Sequence, residues 1–183
     1  MKAPVVACFL MLLLGTVLSG TASAADVAIT SVGQTADAMM AKILLKRLHM
    51  ESEYQSLMTA DMLGDQKVLI AVVGGSSKGL GIAGVSQEQE MGRAVSLLES
   101  AKEKGVKVLV MHLGGDTRRG DLTDGFIEAV TKLGDRIIVV KSGNMDGIFT
   151  KNKSDDAELL EADTVQGTAA ALQATLAAWG VRP

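Results

Sequence analysis

The stretch VLIAVVGGSSKGLGIAGVS, residues 68–86, decides how the chain is read. Its first six residues are apolar without alternation, so with Lys67 ahead of them residues 67–73 read as a strand covered by helices on both faces of a sheet. Five glycines then fall within eleven residues, at Gly74, Gly75, Gly79, Gly81 and Gly84, with Ser76, Ser77 and Lys78 among them. Glycine lets backbone come close to a neighbour. The run therefore predicts a loop that presents amides and one cation to a ligand, and places the next helix start at Ser86, an N-cap with Gln89 three residues on.

The same alternation continues outward in both directions. Residues 26–32, DVAITSV, read as a first strand ending at Gly33. A helix opens at Gln34 or Thr35, with Met39, Met40, Ile43, Leu44 and Leu48 at helical spacing and its methionines as core filling. Residues 52–58 read as a poorer edge strand, and 59–63 as one helical turn closed by Gly64. After Ser86 a helix places Met91, Ala94, Val95, Leu98 and Ala101 inward and Glu90, Arg93, Glu99 and Lys102 outward, ending at Gly105. Strands follow at 106–113, 136–140 and 158–161, separated by a helix with Phe126, Ile127, Val130 and Leu133. A last helix carries Val165, Ala169, Leu172, Leu176 and Trp179. Strands alternating with helices predict an α/β fold: three layers around a mostly parallel sheet of five or six strands, flavodoxin-like or Rossmann-like. In such sheets ligands sit beyond the carboxyl ends of the strands, here at the switch point between the first and third.

The opening residues carry Lys2, an apolar run over 5–18 and the small residues Ala22, Ser23 and Ala24. This layout predicts a signal peptide over 1–24, cleaved after Ala24, and one domain over 25–183. The run is shorter than the ~20 residues of a spanning helix. The protein is accordingly expected in the periplasm or secreted, with no membrane insertion after cleavage. Cys8 is the only cysteine, so the remaining 159 residues have no disulfide, thiol nucleophile or Cys-ligated metal. Export as an unfolded chain argues against a tightly bound cytoplasmic cofactor, and none is expected. Removing Lys2 leaves 17 basic against 21 acidic residues, without a basic face or an aromatic stacking set, which argues against nucleic acid as partner.

Several catalytic patterns are approached and missed. Residues 75–81 fit the G-x-x-x-G-x-G of short-chain dehydrogenases, but Tyr54, the only tyrosine, precedes the loop and Met58 stands four residues on, which removes hydride transfer. Residues 75–79 fit G-x-S-x-G with Ser77 as nucleophile, yet the expected helix starts nine residues later. His112, the one plausible base, precedes Asp116 and Asp146, reversing the order of that hydrolase fold. A small periplasmic hydrolase using Ser77, His112 and Asp116 stays as the alternative, and a protein-interaction module as a second. No Gly-Lys-Ser/Thr P-loop occurs. His49 and His112 are not spaced as metal ligands, and Asp116, Asp121, Asp124 and Asp146 read as solvated carboxylates, so no metal is expected.

What remains is a cradle for a small polar or anionic molecule, in a binding domain that is non-catalytic or of unassigned activity and serves a membrane transporter or acts as a sensor. Lys78, Arg118 and Arg119 are the expected charge partners. Gly75, Ser76, Ser77 and Gly79 would orient the ligand through hydroxyls and loop amides. Gln34, Asp37 and Asp146 form the opposing wall, with His112, Asp116 and Asn144 at the same edge.

The segments ITSVGQTAD (29–37), VVGGSSKGLGIAGVSQEQEMGR (72–93), HLGGDTRRGDLTD (112–124) and VVKSGNMDGIFT (139–150) resemble a family of exported bacterial domains of unknown function. The resemblance covers most of residues 25–183 and falls on the strand-end loops. It implies an extracytoplasmic α/β domain and supplies no activity, substrate or cofactor.

Overall fold

A computed structural model describes residues 25–183, and the signal peptide expected over 1–24 lies outside the described residues. Six strands form one sheet: β1 (Val27–Val32), β2 (Glu53–Tyr54), β3 (Val68–Val73), β4 (Lys107–His112), β5 (Arg136–Val140) and β6 (Glu158–Ala162). Every neighbouring pair is parallel, in the order β2-β1-β3-β4-β5-β6. The chain steps outward from β1 to β2, returns to the other side of β1 at β3, and continues in one direction to β6. The crevice at the reversal lies between β1 and β3, where the sequence places it.

All six residues of β3 are buried, because both of its faces are covered. Val68, Ile70 and Val72 pack with Ala38, Ala41, Leu44 and Leu45 of α1 (Ala38–Arg47), in a layer shared with Leu172 and Leu176 of α6 (Thr168–Ala178). Leu69, Ala71 and Val73 face the opposite layer, built from Ala94, Leu97, Leu98 and Ala101 of α3 (Gln87–Glu103) and Phe126, Ile127 and Val130 of α4 (Asp121–Val130). Phe149 of α5 (Ile148–Asn152) closes that layer beyond β5.

Two local expectations are corrected. The glycine-rich run is not loop up to Ser86: residues Ser77–Ala83 form a helix, α2. Ser76 caps it by accepting the Gly79 amide at 3.0 Å, Leu80 anchors it in the core, and Gly84 ends it in the left-handed conformation at φ 69°. Capping and packing outweigh the poor helix propensity of Gly79 and Gly81. The helix start read at Ser86 is present too, as a capping box with Gln89 that opens α3. On α1 the buried stripe is Ala38, Ala41, Leu44 and Leu45, while Met39, Met40 and Ile43 are exposed. The small alanines, not the methionines, face the sheet.

Candidate functional site

The glycines at the carboxyl edge bring chain against chain. The Gly74 amide donates to the Val32 carbonyl at 2.9 Å and the Ser76 amide to the Gly33 carbonyl at 2.9 Å. Gly75 donates to Thr123 Oγ1 at 2.9 Å. A Cβ on Gly33 would lie 2.7 Å from the Gly74 carbonyl oxygen, one on Gly75 would lie 2.9 Å from the Thr123 nitrogen, and one on Gly79 would run into the Gln34 carbonyl. The expectation that these amides form an open cradle is thereby corrected: Gly74, Gly75, Ser76 and Gly79 all donate within the chain.

Beneath that edge lies a buried ion pair that the sequence reading of the helix after Ser86 put on the solvent side. Glu90 is fully buried and Arg93 nearly so, paired at 2.7 Å. Glu90 also accepts from the Gly33 amide and from Gln34 Nε2, each at 3.0 Å. Arg93 donates to the carbonyls of Ser31 at 2.6 Å and Met58 at 2.7 Å. Each charge thus has the additional hydrogen bonds that a buried pair requires. Together they hold Gln34 in the left-handed region, at φ 55°, and fix the loops after β1 and β2. The signal was present in the spacing, since Glu90 stands four residues before Ala94, on the stripe that continues to Leu97 and Ala101.

Those two loops and α2 line an open cavity of about 470 Å³. Gln34 and Thr35 form one wall, Tyr54, Ser56 and Leu57 a second, and Lys78 with Ile82 a third. Among the described residues Lys78 is the one charged side chain that lines it. Burial pushes the Tyr54 phenol up, partly offset by its hydrogen bond with Ser56, so it presents a neutral hydroxyl at neutral pH. Of the expected site residues, Gln34, Ser76, Lys78 and Gly79 come together here.

The remaining expected residues lie elsewhere on the edge, and most are engaged. Arg119 directs all five N–H groups inward, to both oxygens of Asp124, both oxygens of Asp146 and the Gly143 carbonyl. The guanidinium holds the Asp146 carboxyl well below the usual carboxylate range and lowers that of Asp124, while their hydrogen bonds push the Arg119 guanidinium up. Arg119 and Asp146 therefore clamp the loops after β4 and β5 together, which corrects their reading as free ligand groups. Asn144 is likewise occupied: Nδ2 donates to Glu161 at 2.7 Å and Thr150 at 3.1 Å, and Oδ1 accepts from the Phe149 amide at 2.9 Å. Asp116 is exposed, its amide donating to Ser142 Oγ at 3.2 Å.

The Ser77, His112 and Asp116 arrangement fails on His112. Ser77 does begin α2 four residues after β3 ends, so the objection from a distant helix start is removed. His112, however, is fully buried against Phe149, with Nδ1 3.0 Å from the Val73 carbonyl oxygen and Nε2 3.0 Å from that of Gly115. Gly143 leaves the room the ring occupies. Neither nitrogen faces a site where a substrate proton would be taken.

Asp37 and Arg118 form a separate pair, with Arg118 Nε 4.0 Å from Asp37 Oδ1. Asp37 is buried, and its Oδ2 has no hydrogen-bond partner among the described residues. Among the described residues there is no cluster of three or more His, Cys, Asp or Glu side chains arranged to hold a metal ion.

No curated protein matches the sequence. Among solved structures, a mutant of the esterase AlinE4 is 15% identical over 84% of this chain and 93% of its own, with a TM-score of 0.34, a likeness too loose to carry an inference. The family model described as a domain of unknown function, DUF6305, matches residues 24–176, and the chain belongs to that family.

Proposed function

We propose that this domain binds a small organic anion in the cavity between the loop after β1, the segment after β2 and α2. The observation that carries this reading is the charge of the lining: Lys78 projects from α2 with no acidic side chain among the lining residues to neutralise it. A volume of about 470 Å³ falls in the range of small-molecule sites. Leu57, Ile82 and the Tyr54 ring supply apolar walls, and Gln34 and Ser56 supply polar atoms. A monocarboxylate with a short apolar or aromatic body matches that lining, its carboxylate on Lys78. The leader-like residues 1–24 support a further proposal, that binding takes place in the periplasm or outside the cell. There the domain would pass its ligand to a transporter or report its presence as a sensor.

The test is calorimetric titration with aliphatic and aromatic monocarboxylates. Saturable binding that Lys78→Ala abolishes and Lys78→Arg retains is the expected result. Equal binding by wild type and Lys78→Ala, or no saturable binding to any of the compounds, overturns the reading.

A further inference from the structure

Asp37 precedes α1 with helical backbone angles, φ −64° and ψ −18°, and its amide donates to the Thr35 hydroxyl at 3.3 Å. Its side chain makes no capping bond. It turns toward the loop after β4, where Oδ2 lies 2.8 Å from the point a Cβ on Gly114 would occupy. The residue is 5% exposed, and Oδ2 receives no donor. A buried carboxylate oxygen left without a donor is costly.

The cation beside it is equally unfulfilled. Arg118 Nε stands 4.0 Å from Asp37 Oδ1, beyond hydrogen-bond distance. Its Nη1 and Nη2 have no acceptor among the described residues, and its side chain is 56% exposed. The aliphatic stem of Arg118 passes over Gly114, within contact of the same point that Asp37 Oδ2 faces. Because Oδ2 is buried, a ligand reaches it only if that exposed stem swings aside.

We propose that the Arg118 side chain swings aside and that Asp37 and Arg118 then form a site for a zwitterionic α-amino acid, distinct from the cavity at Lys78. The ligand's ammonium donates to Asp37, and its carboxylate accepts from the Arg118 fork. The pairing of charges selects the class. A bare cation meets the guanidinium beside its acceptor, and a simple anion meets the Asp37 carboxylate, whereas a zwitterion satisfies both. Neither residue lines the cavity, so the proposal does not rest on the cavity's ligand.

The test is calorimetric titration of the purified protein with glycine and a panel of L-amino acids, beside methylammonium and acetate. At least one amino acid should bind saturably and more tightly than either single-charge probe. Asp37→Asn and Arg118→Ala should each weaken it roughly 10- to 100-fold, the loss of one hydrogen bond to a charged group, while Lys78→Ala leaves it unchanged. Amide shifts of labelled wild-type protein should move at residues 37 and 114 on titration, a readout that holds even where a variant fails to fold. Absence of saturable amino-acid binding, equal affinity for methylammonium, or a loss on Lys78→Ala as large as on Asp37→Asn overturns the proposal.

Discussion

Glu90 Oε1, in the first turn of α3, lies 3.0 Å from the amide nitrogen of Gly33, a residue 57 positions earlier in the chain. The contact joins the start of one helix to the loop after the first strand, and Arg93 extends it to the Ser31 and Met58 carbonyls. Glu90→Ala leaves the Arg93 guanidinium buried without its partner, and it should destabilise the fold by about 3–5 kcal/mol. Urea unfolding measures this. Because an apolar pair of similar volume removes both charges together, Glu90→Leu with Arg93→Met should recover most of the loss. A double variant as unstable as the two single changes added would show that the pair is not the cause.

The helical glycines divide by what a methyl group would meet. Gly79 abuts the Gln34 carbonyl, so Gly79→Ala must shift that loop and should cost about 1–3 kcal/mol. Gly81 and Gly92, also in helices, have nothing within 4 Å of an added Cβ. Gly81→Ala and Gly92→Ala should each stabilise by about 0.4–1 kcal/mol, through the reduced freedom of the unfolded chain. Urea midpoints of the three variants check the opposite signs.

Adjacent serines should behave differently. Ser76 accepts from the Gly79 amide as the cap of α2, so Ser76→Ala should cost about 1 kcal/mol. Ser77 is exposed in the first turn, and Ser77→Ala should fall within about 0.5 kcal/mol of wild type. Thermal melts of the two variants are sufficient, and equal losses would contradict the cap assignment.

Acid should act on the Arg119 clamp. The carboxyl of Asp146 is held below its unfolded value by hydrogen bonds from Arg119. Its stabilising contribution is thus present above the unfolded pKa of about 3.9 and is lost as pH falls through the depressed folded value. Asp146→Asn should be less stable than wild type at neutral pH, by a small margin because the carboxylate is half exposed. The gap should hold down to about pH 5, begin to narrow near the unfolded value of about 4, and close only as pH falls through the depressed folded value. A melting-temperature series against pH that widens on acidification would contradict the assignment.

The sheet was legible because its strands are buried on both faces, which leaves an apolar run that only a covered parallel strand explains. The Arg136–Val140 strand has the bounds read from sequence, and β3 and β4 differ from theirs by a residue at one or both ends. Helix α2 was hidden, because its residues have poor helix propensity and its stability comes from the Ser76 cap and the buried Leu80. The fate of each charged group was hidden for a different reason. Arg119 meets Asp146, and Arg118 approaches Asp37, only after separate strand-end loops come together over the sheet. Arg118 and Arg119 are neighbours in sequence, yet one is wholly engaged and the other open. Their contrast is set by which loop each one faces.

The two boundary strands of the sheet also bear on behaviour at high concentration. β2 pairs through only two residues and exposes Glu53, while β6 exposes Glu158 and Glu161. A short strand and a charged one are poor templates for pairing with another chain. Lateral growth by strand addition is therefore disfavoured at both sides of the sheet, and a chain whose core strands are nearly uninterrupted apolar runs keeps those runs away from self-association once folded.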